Sequence, residues 1–281
     1  MRRILVTGAN KGIGYAIAER ILEEHDDTFV FLGSRDRGRG DAAAENIGYA
    51  DRLQVVEMDV ASDASVENAA ERIKEACGGE PLFGIVNNAG TGLGSGDLKY
   101  VFDVNTRGIY RVSMALIPLL ADGGRIVNIT SASGPMYVAE CGAEYQRFFT
   151  REDISWREIE RLMKDAESIA GDTAAFESRG LGTGAPYGIS KACANSCTMF
   201  FAREYPQFVI NAVTPGFIAT DLTRVYEKER GATVEEMGGK TPREGATAPL
   251  FLLFGEPEGS GHYYGSDSKR SPLDRYRAPG T

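Results

Sequence analysis

The sequence predicts an α/β fold, a doubly wound parallel sheet of about seven strands with helices on both faces. Two observations support this prediction. Short apolar runs such as Ile4–Val6 and Thr28–Leu32 alternate along the chain with helical patterns, and buried parallel strands have this continuous apolar character. The first run leads into Thr7–Gly14, where glycines at G-x-x-x-G-x-G spacing precede a helix.

The glycine-rich turn predicts a binding site for a dinucleotide pyrophosphate. Ile13, Ile17 and Ile21 recur every four residues and give the helix after the turn one apolar stripe. A strand, a glycine turn and a helix leave free backbone N–H groups at the helix N-terminus, where a phosphate binds favourably. Such spacing also occurs in ordinary tight turns, so the glycines alone do not establish a dinucleotide site and the other motifs are needed as evidence. The candidate contacts here are Gly8, Asn10, Lys11, Gly12, Ile13 and Gly14.

Length, composition and charge restrict the classes of function. The 281 residues suffice for one large α/β domain, and 42% hydrophobic and 25% charged residues are ordinary for a globular protein. A net charge of −9 disfavours binding to nucleic acid or to an anionic membrane surface. No signal peptide or membrane-spanning run is recognisable, and the four cysteines lack zinc or disulfide spacing. We therefore expect a cytoplasmic single-domain protein, residues 1–281, without a metal.

The end of the second strand indicates which cofactor binds. That strand runs into Ser34 and Arg35, where a dinucleotide fold contacts the adenosine ribose. Arg35, Arg39 and Lys11 together suit the 2′-phosphate of NADP(H), because arginine can hold a phosphate bidentately. The alternative is that the arginines are solvated loop residues and that Asp36 holds the ribose, which would favour NAD. We predict NADP(H).

The third and fourth strands bring further residues to the same edge of the sheet. A strand over Arg52–Val60 contains Asp59, whose carboxylate can accept a hydrogen bond from an adenine amino group. A helix follows, capped by Ser62 or Asp63. The fourth strand, Phe83–Val86, leads into Asn87-Asn88-Ala89-Gly90 at the usual ligand crevice of such folds. These asparagines can also simply satisfy loop backbone.

The rest of the chain alternates helix and strand around one interruption. Residues 135–185 are too long and too polar for a normal connection and contain an amphipathic helical pattern at Ile154–Met163. Residues 222–245 are rich in glycine and charge and are expected to form a substrate lid, and 266–281 a polar tail. The other predicted elements are helices over Asp97–Leu120, from Pro186 onward and over Gly245–Phe254, and strands over Gly124–Ser131, Phe208–Val213 and His262–Tyr264.

Four polar residues suggest acid–base chemistry. Tyr187 and Lys191 lie one helical turn apart, and the ammonium favours a phenolate, since an attraction of about 4 kcal/mol at ~4 Å would lower the pKa of Tyr187 by about two to three units. Ser131 supplies a hydroxyl for a substrate carbonyl. Asn105, in the middle of its predicted helix, can hold a water beside Lys191. A Tyr-x-x-x-Lys pair alone is more often two exposed helical residues.

Taken in order, these motifs resemble the short-chain dehydrogenases/reductases over about residues 3–265. The resemblance implies a Rossmann-type fold with a catalytic tetrad of Asn105, Ser131, Tyr187 and Lys191. It implies further cofactor contacts at Asp59, Val60, Asn88, Ala89, Gly90, Tyr187, Lys191, Pro215, Gly216, Ile218 and Thr220.

The position of the insertion indicates a subgroup. Ser131 and Tyr187 are 56 positions apart, and this gap resembles that of the monomeric NADPH-dependent carbonyl reductases of animals and their plant terpenoid- and alkaloid-ketone relatives. The resemblance implies reduction of a small ketone or aldehyde by hydride transfer from NADPH, with Tyr187 as proton donor. It also implies a monomer, because residues 135–185 would cover the surface through which other members pair.

Two departures leave the substrate open. Phe217 stands where the animal enzymes often carry tryptophan, and the segment Thr223–Lys240 is longer than theirs. Two alternative functions remain at this stage. One is an NAD-dependent alcohol dehydrogenase of the same family, and the other is a catalytically inactive NADP-binding sensor or scaffold.

Overall fold

In the computed structural model, which describes residues 1–93 and 96–281, seven strands form one parallel sheet. The strand order is β3-β2-β1-β4-β5-β6-β7, and every neighbouring pair is parallel. The strands are β1 (Arg2–Val6), β2 (Thr28–Ser34), β3 (Leu53–Glu57), β4 (Leu82–Asn87), β5 (Leu120–Ile129), β6 (Val209–Val213) and β7 (Tyr263–Tyr264). The fold class predicted from the sequence is confirmed. The chain order reverses beside β1, which opens a crevice at the carboxyl ends of β1 and β4.

Helices connect the strands and cover both faces of the sheet. Those of the described ranges are α1 (Gly12–Glu24), α2 (Arg37–Ile47), α3 (Asp63–Cys77), α4 (Leu98–Asn105), α5 (Arg107–Leu116), α6 (Ser133–Glu140), α7 (Ala143–Thr150), α8 (Trp156–Glu167), α9 (Thr173–Ser178), α10 (Pro186–Glu204), α11 (Val225–Arg230), α12 (Pro242–Gly245) and α13 (Thr247–Phe254). A short 3-10 turn, Ile117–Leu119, follows α5. None of the helices in these ranges is long and apolar enough to cross a membrane.

The sheet separates two hydrophobic layers. Successive strand residues point to opposite faces, so Leu5 belongs to one layer while Ile4 and Val6 belong to the other. The Leu5 layer packs against α3, α5 and α10, and the Ile4 layer packs against α1 and α13. Because both faces are covered, the central strands are apolar throughout rather than alternating, and this explains the sequence pattern.

The helix predicted over Asp97–Leu120 is interrupted. The backbone of Thr106 (φ −119°, ψ −58°) separates α4 from α5. The Thr106 hydroxyl donates a hydrogen bond of 2.9 Å to the carbonyl of Ser190 on α10. Asn105 is therefore the last residue of α4 rather than the middle of a long helix, and its placement depends on a contact between distant segments that no local pattern records.

Helix α2 is absent from the sequence prediction. Its first turn contains Arg39, whose backbone N–H donates to the Asp36 side chain at 2.9 Å and so caps the helix. Gly38 and Gly40 lower the helix propensity of this segment. A Cβ on Gly40 would lie 2.6 Å from a methyl group of Val55, so close packing against β3 requires this glycine.

The inserted segment folds back over α4, α5 and α10. Arg107 on α5 bonds Glu160 and Glu167 of α8 at 3.0 and 2.7 Å and Asp103 of α4 at 3.0 Å. The Tyr110 and Trp156 rings stack with centroids 3.8 Å apart and planes at 7°. These contacts attach α8 to the body of the protein.

Helix α8 has the amphipathic face that the sequence predicted. It begins with a capping box between Ser155 and Glu158, and Ile159, Leu162 and Met163 are buried. The sequence pattern did not predict the surrounding helices α6, α7 and α9, because all three are short and because α6 and α7 lack a side-chain cap.

The end of the predicted substrate lid, residues 222–245, pairs with the residues that precede the lid. Lys240 donates its backbone N–H to Phe217 at 2.8 Å and accepts from Ala219 at 2.9 Å. A parallel bridge joins Ile218 to Lys240, and α11 and α12 lie within or at the end of this segment. The polar segment after β7 is held by an ion pair between Arg277 and Asp267 at 2.5 Å.

Candidate active site

A cleft of about 550 Å³ opens at the carboxyl ends of β1, β2 and β4. Most of the residues predicted to contact a cofactor line it: Gly8, Asn10, Lys11, Gly12, Ile13, Arg35, Arg39, Asp59, Val60, Asn88, Ala89, Gly90, Tyr187, Lys191, Pro215 and Thr220. Gly14, Gly216 and Ile218 are outside its lining, and Ile218 is buried behind it. The cleft is therefore large enough for a ligand of dinucleotide class and contains nearly the whole predicted set.

The glycine turn is built to lie against the end of β4. Gly8 has φ +63°, a left-handed conformation that favours glycine. A Cβ on Gly14 would lie 2.3 Å from Nδ2 of Asn88 and 2.6 Å from the carbonyl oxygen of Gly8. Asn88 Nδ2 donates to the carbonyls of Thr7 and Gly8 at 2.9 and 3.2 Å. Gly14 is thus required for packing the turn, and this cradle fits the pyrophosphate of a dinucleotide.

The three cations predicted around a 2′-phosphate have different partners. Lys11 Nζ donates to Asp221 Oδ2 at 2.7 Å, and Arg39 Nη2 donates to Asp36 Oδ2 at 3.2 Å. Arg35 Nη1 donates to the hydroxyl of Tyr100 at 2.9 Å. All of these side chains line the cleft. Arg35 therefore differs from the other two cations, because its hydrogen-bond acceptor is a hydroxyl and not a carboxylate.

Asp36 is already engaged on α2. Its carboxylate accepts from the backbone N–H of Arg39, and this bond, with the Arg39 side chain, holds the pKa of Asp36 below its ordinary value. Asp59 has a similar local role, since its Oδ1 accepts from the backbone N–H of Ala61 at 3.0 Å. Both carboxylates also line the cleft.

Tyr187 and Lys191 lie one turn apart on α10, as the spacing predicted. Lys191 Nζ is buried, donates to the backbone carbonyl of Ile129 at the end of β5 at 3.0 Å, and lies 5.6 Å from the centroid of the Tyr187 ring. Burial lowers the pKa of Lys191 to about 8. The ammonium is therefore bonded to a strand carbonyl rather than to the phenol.

The predicted lowering of the Tyr187 pKa is wrong for this structure. Burial raises the pKa of Tyr187 to about 12, although a hydrogen bond with Ser131 acts in the opposite direction. The ring itself is only half-buried because it faces the cleft. Desolvation of the phenolate outweighs the attraction of a lysine several ångströms away, so the phenol is protonated at neutral pH.

Ser131 and Asn105 complete the four residues. Ser131 follows β5, and its Oγ accepts from the backbone N–H of Ser133 at 3.2 Å. Asn105 is fully buried, and its Nδ2 donates to the carbonyl of Thr91 and to Ser190 Oγ, both at 2.9 Å, while its Oδ1 accepts from Thr91 N–H at 2.9 Å. Both amide protons of Asn105 are used, so only its oxygen can bind a further water.

Sequence reasoning missed several residues of the cleft. Tyr100 and Arg35 are 65 positions apart, and Asp221 and Lys11 are 210 apart, so neither pair leaves a local pattern. Arg224, which also lines the cleft, bonds Asp221 at 2.9 Å. Over residues 1–93 and 96–281 no group of three or more His, Cys, Asp or Glu side chains is arranged to hold a metal ion.

The fold and the cleft at its switch point define a Rossmann-type α/β protein. Residues 2–145 match the family model described as short chain dehydrogenase, so the chain belongs to the short-chain dehydrogenase/reductase family and is an oxidoreductase. Its relatives place it in the carbonyl reductase-like subgroup of that family.

Three comparisons illustrate this placement. The chain is 30% identical to (+)-neomenthol dehydrogenase of Arabidopsis thaliana over 83% of this chain and 89% of that protein. It is 29% identical to carbonyl reductase [NADPH] 3 of Rattus norvegicus over 92% of each chain. The structure of salutaridine reductase from Papaver somniferum superimposes with a TM-score of 0.78, at 25% identity over 94% of this chain and 99% of that one.

The buried ammonium of Lys191 predicts a stability cost. A lysine in an unfolded chain has a pKa near ~10.4, so below about pH 8 both states are charged and the folded state carries the desolvation penalty in full. Between pH 8 and 10.4 the unfolded state binds more protons, and stability rises with pH. This shift corresponds to a penalty of about 3 kcal/mol, and the loss of the bond to the Ile129 carbonyl offsets part of the gain. Lys191→Met should therefore raise the free energy of unfolding at pH 7 by about 1–2 kcal/mol.

Thermal unfolding at pH 7 and at pH 10 measures this effect. The gain should be largest at pH 7 and should shrink at pH 10. Lys74→Met, at an exposed lysine on α3, is the control and should change stability by less than about 0.5 kcal/mol. A lower unfolding temperature for Lys191→Met at pH 7 would show that the ammonium stabilises the fold.

Proposed function

We propose that the protein reduces a ketone or aldehyde to an alcohol with NADPH. The observation that carries the proposal is a protonated Tyr187 in the same cleft as the glycine turn and the cation Arg35. NADPH, when bound, supplies the hydride. The names of the neomenthol dehydrogenase and carbonyl reductase relatives support a carbonyl or alcohol substrate.

The side chains of the proposed tetrad divide the chemistry among them. Tyr187 donates its proton to the carbonyl oxygen, and Ser131, the hydrogen-bonding neighbour of its phenol, holds the same oxygen. Lys191 carries its charge at the carboxyl end of β5 below about pH 8 and bonds the ribose hydroxyls as well as favouring the phenolate that forms. Asn105 fixes the backbone at Thr91 beside them.

The surroundings of the site support the remaining proposals. Residues 222–245 act as a substrate lid, because Leu222 and Arg224 of this segment line the cleft and the Tyr226 ring of α11 lies 6.0 Å from the Phe217 ring, centroid to centroid. We assign residues 1–281 to one cytoplasmic domain without nucleic-acid or membrane partners.

Two alternative functions have weaker support than NADPH-dependent carbonyl reduction. NAD-dependent alcohol oxidation would need Asp36 for the ribose, and Asp36 is already bonded to Arg39. An inactive sensor would have no use for all four polar residues.

Removing the Tyr187 hydroxyl tests the chemistry. Tyr187→Phe changes the volume little and should lower kcat/KM for carbonyl reduction by about 10²–10⁴-fold, because the proton donor is lost. NADPH binding, followed by its fluorescence, should persist.

The pH dependence of the wild type tests the role of Lys191. The kcat/KM for reduction should be flat at neutral pH and should fall as the pH rises through about 8, where Lys191 loses its charge. The phenol of Tyr187 stays protonated up to about pH 12 and does not cause this decline.

The control for this variant is Tyr49→Phe, at an exposed tyrosine between α2 and β3. It should retain wild-type kinetics. If Tyr187→Phe retained more than a tenth of the wild-type reductase activity, this result would contradict the role of Tyr187 as proton donor. A pH profile without a decline between pH 7 and 9 would contradict the role of the Lys191 ammonium.

Arg35 tests the choice of cofactor. The wild type should prefer NADPH over NADH by at least tenfold in kcat/KM, which is about 1.4 kcal/mol, a modest demand for charge-assisted phosphate contacts. Arg35→Asp should narrow or invert this preference. Arg37→Ala, at the neighbouring arginine that pairs with Asp41, should leave the preference unchanged. Equal rates of the wild type with both cofactors would refute NADPH dependence.

The inserted helices test the state of assembly. We propose a monomer, because α8 covers α5 through Arg107 and the Tyr110–Trp156 stack and packs against α10. Helix α8 thus occupies part of the surface of α5 and α10 that a second copy of the chain would have to contact. Light scattering at micromolar concentration should give a mass near 30.4 kDa. A stable dimer or tetramer would mean that the insertion leaves an association surface open.

A further inference from the structure

We propose that Asp221 is a positioning residue for cofactor recognition. Its carboxylate holds Lys11 until a phosphate of the cofactor replaces the carboxylate as the partner of that lysine. The proposal rests on the function proposed above, since it needs a phosphorylated dinucleotide in the cleft. Asp221 follows the predicted contact Thr220 and has no role in the sequence analysis.

One carboxylate joins two segments of the protein. Lys11 Nζ, in the glycine turn, donates to Asp221 Oδ2 at 2.7 Å, and Arg224 Nη1, at the start of the lid, lies 2.9 Å from Oδ1. Hydrogen bonding and the charge of Lys11, together with the charge of Arg224, hold the pKa of Asp221 below its ordinary value. The carboxylate is therefore ionised at neutral pH and shared between two cations.

The two segments also touch beside this ion pair. A Cβ on Gly12 would lie 3.5 Å from the methyl group of Thr220, so the chain after β6 lies directly against the glycine turn. Lys11, Thr220, Asp221 and Arg224 all line the cleft. A phosphate that enters this part of the cleft and the Asp221 carboxylate compete for the same ammonium.

A phosphate can displace Asp221 from Lys11 because the ion pair between these two residues is exposed to solvent. The side chains of Lys11 and Asp221 are 58% and 51% exposed, and exposed ion pairs contribute little net free energy. A phosphate monoester such as the 2′-phosphate carries close to two negative charges at pH 7, whereas a carboxylate carries one. The pyrophosphate oxygens carry about one charge per phosphorus and have no such advantage.

The exchange gives Asp221 an effect on specificity. A nucleotide that recruits Lys11 has to break the bond to Asp221, whereas a nucleotide without a competing phosphate leaves it intact. Asp221 therefore weakens the binding of the phosphate that Lys11 recognises. Arg224 can keep its bond to the carboxylate after the exchange, so the start of the lid retains one ionic partner.

Calorimetric titration with the oxidised cofactors, in the absence of an alcohol substrate, tests the proposal without any turnover. The two probes are NADP⁺, which carries the 2′-phosphate, and NAD⁺, which lacks it and has the same pyrophosphate. Asp221→Asn should bind NADP⁺ about threefold to fivefold more tightly than the wild type, the range of an exposed ion pair, and should bind NAD⁺ unchanged. Asp221→Glu, which restores the carboxylate, should behave like the wild type.

A double-mutant cycle identifies Lys11 as the group released. In a Lys11→Met background, Asp221→Asn should no longer change the affinity for NADP⁺. An unchanged affinity of Asp221→Asn for NADP⁺ overturns the proposal. So does tightening that persists without Lys11 or that extends equally to NAD⁺, because that is a general effect of cleft charge. Equal binding of both probes by the wild type would instead contradict the proposed NADPH preference, which is read from the wild-type titrations alone.

Discussion

A chain of buried amide hydrogen bonds fixes the edge of the sheet on which the site is built. Asn87 and Asn128 are partners in the β4–β5 register, and Asn87 Nδ2 donates to Asn128 Oδ1 at 2.8 Å and to Ser113 Oγ at 3.2 Å. Asn128 Nδ2 donates to Thr198 Oγ1 on α10 at 2.9 Å. The chain links α5, β4, β5 and α10. Because unpaired buried amides are costly, the carboxyl ends of these strands and the helix bearing Tyr187 are held in one arrangement.

Two side chains of the site, Lys191 and Tyr187, are in surroundings that disfavour their charged forms. Lys191 is almost completely buried with a single strand carbonyl as its hydrogen-bond acceptor, and burial alone lowers its pKa. The same burial keeps the phenol of Tyr187 protonated. A desolvated cation beside a protonated donor is unfavourable for stability and favourable for a proton transfer to an oxygen that becomes negative. The cost to the fold is offset by the surrounding apolar layers.

The sequence predicted what local spacing can record. The glycine turn and the Tyr187–Lys191 pair follow from spacings of two to four residues, and the strands follow from continuous apolar runs. The break at Thr106 and the capping of α2 escaped prediction, since one depends on a bond to α10 and the other on a segment with two glycines. The pKa of Tyr187 was misjudged because the sequence gives the charge of a neighbour but not the burial that opposes it. Pairings across the cleft, such as Arg35 with Tyr100, need the folded chain.

The charge of the whole chain and the charge of the cleft have opposite signs, and this constrains how an anionic cofactor is bound. The net charge of −9 repels a phosphorylated dinucleotide at long range. The ionisable side chains that line the cleft are predominantly basic: Lys11, Arg35, Arg39, Lys191 and Arg224 against Asp36, Asp59 and Asp221. Without a ligand, two of these carboxylates neutralise cations by direct contact, so the local field is moderated until a stronger anion enters. Affinity then depends on how many carboxylate contacts the incoming phosphate has to replace, and each such contact, as between Lys11 and Asp221, reduces the preference for a phosphorylated cofactor that the basic residues provide.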